Sequence, residues 1–292
     1  MRKSFSLILS ITLIYLGLVK RSIKKIFNEN LVTSIYFHDP SKELFEKCIN
    51  WLIKNNYHFI STDDLYKILK NKTPVKKGAV CITVDDGKKG NLKNIVPFVE
   101  KLKIPITIFI STEPVKKGVF WWSYVKAHNK VSSKKISIEN CKSITNDERL
   151  KIINKLKENI EIPREAMTKG DVIKISKSTY ITIGNHTVNH PIIPSCEIDE
   201  LEYEISEASN VLKSWISKDI NYFAYPNGDF DQREIAILKS NNIKLAFTTI
   251  PEHVNVTKPV NYFQIPRFSV NDNGSFYENI CKMTGVWQKI IK

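Results

Sequence analysis

Val80-Cys81-Ile82-Thr83-Val84-Asp85-Asp86-Gly87 decides how this chain is read: an unbroken apolar and β-branched run leads directly into two carboxylates and a glycine. A short continuous apolar run closed by turn residues is the pattern of a strand buried on both faces, as in a parallel sheet. Carboxylates at the C-terminal end of such a strand stand where α/β folds gather their active sites. Neighbouring residues in a strand face opposite sides, but a turn starting at Gly87 lets Asp85 and Asp86 reach one site. Taken alone, Asp-Asp-Gly reads equally well as an ordinary turn.

Outward from this stretch, apolar runs alternate with helical patterns, which predicts βα units around a parallel sheet or barrel. Strands are expected at Thr33–Phe37, Val80–Val84, Ile106–Ile110, Tyr180–Ile183, Tyr222–Tyr225 and Lys244–Thr248. Helices are expected at Lys42–Asn55, Thr62–Leu69, Leu92–Leu102, Ile198–Ser214 and Gln232–Ser240, with Asp63 and Asp231 as start signals. The Lys-rich segment 112–177 breaks the rhythm and reads as a helical insertion, with a helix at Asn146–Asn159.

A second motif, His186-Thr187-Val188-Asn189-His190-Pro191, follows the strand predicted at Tyr180–Ile183. One turn or a tight loop brings residues four apart together, and Pro191 disfavours helical geometry at His190. Two imidazoles and a carboxylate make a three-ligand divalent metal site that leaves a position for water. An H-x-x-x-H spacing also arises by accident; what singles this one out is its pairing with Asp-Asp-Gly at another strand end.

With both motifs in view, the sequence resembles the polysaccharide deacetylases of the NodB-homology type, carbohydrate esterase family 4. Their first motif reads T-F-D-D-G, here Thr83 to Gly87 with Val84 for the Phe, and their second reads H-[ST]-x-x-H, here His186 to His190. Phe223-Ala224-Tyr225-Pro226-Asn227-Gly228 is similar to the F-A-Y-P-x-G form of the third motif, found in the branch that processes exported glucosamine polymers. The likeness runs from about Leu31 to Val270 and takes in Ser34–Pro40, Phe59–Leu65 and Ile265–Val270. The resemblance implies a distorted (β/α) barrel and a metal-dependent hydrolase that removes N-acetyl groups from an N-acetylhexosamine polysaccharide or lipid-linked glycan. It gives Asp85 the role of general base and makes Asp86, His186 and His190 ligands of a divalent metal, usually zinc. A backbone N–H around Asn227 would stabilise the oxyanion, and Tyr225 would contact substrate. Hydrolysis of another amide and silent glycan binding remain alternatives at this stage.

The chain departs from the family pattern in three places. The third-motif Arg that steadies the base is absent before Pro226, and Arg267 is the candidate replacement, although it reads equally as a surface cation or structural ion pair. No fourth-motif Asp is evident around Leu245–Thr249, and no L-x-x-H-like segment follows Arg267. His38, at the end of the first predicted strand, is the candidate leaving-group acid or a hydrogen-bonding partner of substrate, with strand capping as the alternative. Trp121 and Trp122, beside Phe120 and Tyr124, suit stacking on a sugar face, though aromatic clusters also build cores.

Composition bounds the rest. At 292 residues, with 42% hydrophobic and 25% charged residues, the chain is neither disordered nor low-complexity. Five scattered cysteines without C-x-x-C pairing signal neither a disulfide framework nor a Cys zinc site. The net charge of +14 suits an anionic surface, but the Lys is dispersed and carries no nucleic-acid-binding motif, so no nucleic-acid partner is expected. Residues 1–28 form an apolar and basic segment ahead of a catalytic domain at 29–292. Its core, Phe5–Val19, is closed by Lys20, Arg21, Lys24 and Lys25 and is shorter than the ~20 residues of a usual span, with no cleavage site after it. A short signal anchor, a helix lying at the interface and a buried core helix all fit. Membrane association in a bacterial-type envelope is expected; the flanking charge bias favours a cytoplasmic domain, and the oligomeric state is not legible.

Overall fold

The computed structural model describes residues 2–290. Nine strands form one sheet: β1 (Leu31–Phe37), β2 (His58–Ile60), β3 (Ala79–Val84), β4 (Ile106–Ile110), β5 (Ile181–Asn185), β6 (Tyr222–Ala224), β7 (Leu245–Phe247), β8 (Val254–Asn255) and β9 (Phe268–Ser269). The order is β7-β6-β5-β4-β3-β1-β8, with β2 against β3 and β9 against β1. All pairings are parallel except β1 with β8. Helices cover the outer face, which is why the strands read as continuous apolar runs.

Distortion arises because strands share partners in halves. β2 pairs with residues 79–81 of β3 and β4 with residues 82–84, while β8 and β9 divide β1 between them. The extended stretch from Ile265 to Ser269 bridges Phe247 at one end and pairs with Ile35 and Tyr36 at the other, stitching β7 to β1. The sheet therefore curls into a barrel.

The period of two sorts side chains between interior and helical shell. Ile82, Val84, Ile106, Ile108, Ile35 and Phe37 belong to the outer core beneath the helices. Val32, Cys81, Phe109, Leu245, Phe247 and Ile265 fill the barrel interior. Gly184 on β5 is required there, since a Cβ would meet the Phe109 ring and come within 3.0 Å of the Tyr222 carbonyl. Continuing the same alternation upward points His38, Asp85 and Arg267 toward the C-terminal mouth.

Six strands lie where the sequence places them, within two residues at each end. β2, β8 and β9, of two or three residues each, are additions that only tertiary pairing reveals. The helix expected at Leu92–Leu102 is two pieces, Asn91–Asn94 and Val96–Leu102, broken just before Pro97. Ser61, in a capping box with Asp64, starts helix Thr62–Leu69, so Asp63 is not the cap. Asp231 binds Arg233 at 2.6 Å and leaves helix Glu234–Ser240 without a side-chain cap. Between β4 and β5 the chain forms helices Thr112–Lys117, Trp121–Val131, Ile138–Ser143, Asn146–Lys157 and Lys169–Ile175, of which Trp121–Val131 and Ile138–Ser143 wall one side of the mouth.

Candidate active site

β3 ends at Val84, and the turn begins one residue earlier than expected: Asp86 already has φ 74°, as does Gly87. Thr187 (φ 69°), His190 (φ 53°) and Asn227 (φ 59°) are also left-handed. Such backbone costs free energy in residues with a Cβ and persists where surrounding contacts impose it, commonly at functional sites. The turn swings Asp86 to the same cavity as Asp85, despite their adjacency.

Asp86, His186 and His190 are buried, and their candidate ligand atoms all lie within 4.8 Å of one another. Asp86 Oδ1 is 3.6 Å from His186 Nε2 and 3.4 Å from His190 Nε2. Those separations are longer than good hydrogen bonds and match the ~3.3 Å between neighbouring ligands at a tetrahedral ion with bonds of ~2.0 Å. His186 Nδ1 lies 2.7 Å from the Ala224 carbonyl, so it carries the proton and donates, and this contact aims Nε2 at Asp86. Burial pushes His190 down to about 4, which keeps its imidazole neutral, the form that ligates. Burial alone would raise the Asp86 carboxyl, but the two histidines hold it well below the ordinary range. By donor chemistry, spacing and protonation, the trio fits a divalent metal.

The loop carrying the histidines is held from beneath. Glu204 accepts the Val188 and Asn189 N–H groups at 2.9 and 2.8 Å and the Asn189 side-chain amide at 2.8 Å. The His190 carbonyl accepts from Arg149 at 2.9 Å and from Trp121 Nε1 at 3.1 Å. Sequence reasoning missed Glu204 and Arg149, though a signal existed. Each is a charge on the buried stripe of its helix, with Leu201, Ile205 and Leu212 in one case and Ile153 and Leu156 in the other.

Asp85 receives a two-pronged ion pair from Arg267, Nη1 to Oδ1 at 2.8 Å and Nη2 to Oδ2 at 2.9 Å. Arg267 is fully buried, donates further to Thr83 Oγ1 and the Thr248 carbonyl at 2.9 Å each, and stacks over Tyr36 at 4.4 Å. The burial and the pair with Asp85 exclude a surface cation. Burial pushes the Asp85 carboxyl up, and the guanidinium, helped by His186, more than offsets this and keeps it ionised.

Both groups open on a cavity of about 360 Å³. His38 lies on its rim, half exposed, with Nδ1 4.0 Å from Asp272; nothing in the sequence had marked Asp272. Asn227 lines the opposite side; its amide donates to Asp229 at 2.6 Å and accepts from Lys142 at 3.1 Å. Trp122 stacks on Phe120 and presents its edge to His190 at 4.8 Å. Trp121 is buried beneath it, committed to the His190 loop. Tyr225 is buried with its hydroxyl bonded to the Phe263 carbonyl, so only its ring reaches the wall.

No curated protein matches this chain. Among solved structures it is similar to a Streptococcus pyogenes deacetylase, PplD, in complex with acetate, at 17% identity and TM-score 0.59, covering 87% of this chain and 98% of that one. IcaB from Ammonifex degensii aligns at 16% identity and TM-score 0.63, covering 87% and 97%. A de-N-acetylase from Aggregatibacter actinomycetemcomitans aligns at 15% and 0.62, covering 85% and 98%. These likenesses show the fold. The family model of polysaccharide deacetylases matches residues 72–246, more than half of the chain and both carboxylate and histidine motifs; the chain belongs to the polysaccharide deacetylase family of carbon–nitrogen hydrolases.

Proposed function

We propose that the protein removes N-acetyl groups from an N-acetylhexosamine glycan, free or lipid-linked, using a divalent metal, with zinc as the first candidate. The observation that carries this reading is the convergence of the Asp85–Arg267 pair and the Asp86, His186, His190 trio on one cavity. The F-A-Y-P-x-G form of the third motif supports an exported glucosamine polymer as the substrate class.

Asp86, His186 and His190 would hold a divalent ion, which would supply Lewis-acid polarisation of the acetamide carbonyl and lower the pKa of water toward neutral. Asp85 accepts the proton of the attacking water; Arg267 fixes both carboxylate oxygens so that the base does not rotate and stays ionised near neutral pH. The backbone N–H at Asn227, on a left-handed turn, donates to the developing oxyanion. His38, on the rim 4.0 Å from Asp272, gives a proton to the departing amine. Trp122 offers the one partly exposed indole of the cavity wall to a sugar face, while Trp121 and Tyr225 position the walls from behind.

The test is acetate release from a panel of N-acetylated oligosaccharides by the zinc-loaded chain, with Asp85→Asn as control. Release by the parent and a loss of at least about a hundredfold in the variant, the lower range for general-base removal, support the reading. Bound metal with no release from any member would refute it.

A further inference from the structure

The helix Arg2–Tyr15 is apolar on two sides, and only one of them is used. Its inner side, with Ser10 and Leu13 buried, packs against helix Phe276–Met283 near Ile280 and Cys281. Its outer side exposes Phe5 (66%), Ile8 (66%), Ile11 (46%), Tyr15 (89%) and Leu16 (58%). Phe5, Ile8, Ile11 and Tyr15 recur at three and four residues, which gathers them on one face along the helix, and Leu16 follows directly after its end. Five of the thirteen exposed large hydrophobics among the described residues thus fall within twelve residues, which makes a patch and not a scatter.

Charge says what covers it. No acidic residue precedes Glu29. Helix Leu18–Asn28 turns Val19, Ser22 and Ile26 inward and Lys20, Arg21, Lys24 and Lys25 outward. Among the described residues only Lys25 finds an acid, Glu29 at 3.6 Å. An apolar face beside uncompensated cations fits acyl chains beneath anionic headgroups. A second copy would set like charges against each other.

We propose that the outer face of helix Arg2–Tyr15 lies flat in the interface of an anionic membrane, with the cations of helix Leu18–Asn28 on its headgroups, and that this segment docks without crossing. Three features oppose crossing. Fourteen residues span about 21 Å, against a hydrocarbon core of ~30 Å. The two helices meet at 62° across Gly17, whose φ is 74°. The inner face is committed to the barrel, and Ser22 Oγ donates to the Thr284 carbonyl at 2.6 Å. The helix begins beside Asn271 and Asn273, which flank the Asp272 that faces His38. Docking therefore holds the mouth of the cavity beside the lipid. The proposal stands independently of the reaction assigned to the site.

The test uses the full chain with phosphatidylcholine vesicles, with and without phosphatidylglycerol, followed by co-sedimentation. Binding is expected with phosphatidylglycerol only, weakened by salt, and reduced about fivefold per cation in Lys20→Gln, Arg21→Gln and Lys24→Gln. Ile8→Ser with Tyr15→Ser, which leaves the inner face intact, should lower partitioning at least tenfold with unchanged circular dichroism. Because all five native cysteines are buried, Phe5→Cys and Tyr15→Cys accept a fluorophore selectively, and brominated lipids should quench both at the same shallow depth. No partitioning into either vesicle would overturn the proposal, as would a depth gradient passing through the bilayer centre. So would a dimer abolished by the serine variants without any lipid binding.

Discussion

Replacing Arg267 by Met keeps most of the side-chain volume and removes the one cation that Asp85 touches. The wild-type guanidinium is fully buried and directs two bonds to Asp85, one to Thr83 and one to the Thr248 carbonyl. Breaking a buried ion pair from one side costs about 3–5 kcal/mol, because a desolvated charge is left without a partner. Arg267→Met should therefore lower unfolding free energy by that amount, read from urea denaturation followed by tryptophan fluorescence. Asp85→Asn in the same background removes the stranded charge, so the double variant should lose less than the sum of the singles by about 1–3 kcal/mol. The pH dependence carries a sign. In the parent, Asp85 is held below its unfolded value, and its contribution is present above ~4 and lost as pH falls through the folded pKa. Without Arg267 burial dominates, the folded pKa rises, and protonation relieves the variant, so the gap between the two narrows as pH falls toward ~4. A loss under ~1 kcal/mol, strict additivity, or a gap that widens in acid would refute the argument.

Other consequences are as direct. Glu204→Gln, which touches no ligand atom but anchors the histidine loop, should weaken zinc binding about 10–100-fold in competition with a chelating dye. Gly184→Ala drives a methyl into Phe109 and should cost about 1–3 kcal/mol in thermal or urea unfolding. Burial lowers His253 to about 4, so the unfolded chain takes up a proton below ~6.5 that the folded chain refuses. Stability should fall across that window by up to about 3 kcal/mol from this residue, and the imidazole NMR titration should show a midpoint near 4.

The sequence made legible what depends on local order. Six strands and most helices follow from apolar runs and periodicity, and the two motifs stand at the ends of β3 and β5, as parallel α/β architecture requires. It did not reveal β2, β8 and β9, whose residues pair through neighbours supplied by distant chain. Arg267 illustrates the boundary. Its residue type suggested a replacement for the missing third-motif arginine, but whether it would meet Asp85 or lie on the surface depended on a stretch that the barrel folds inward. Trp121 and Tyr225 show the reverse: aromatic identity suggested sugar contact, while burial and the hydrogen bonds of Nε1 and the hydroxyl turn them toward structural work. Glu204 and Arg149 were visible as charges on apolar stripes, a cue easily lost among so many lysines.

Arg267 lies 182 residues beyond Asp85, on the stretch that stitches β7 to β1, outside the 72–246 span that the family model recognises. During synthesis, β1 and β3 to β7 can all emerge before this arginine does. Until it arrives, the aspartate at the centre of the site has no counterion in a closing apolar interior, and the barrel edges are unjoined. Enclosure of the carboxylate and joining of the barrel edges are therefore a single late event, with slow, non-local closure as its kinetic signature. A nascent chain stopped after Thr249 would carry both motifs and still be neither closed nor competent.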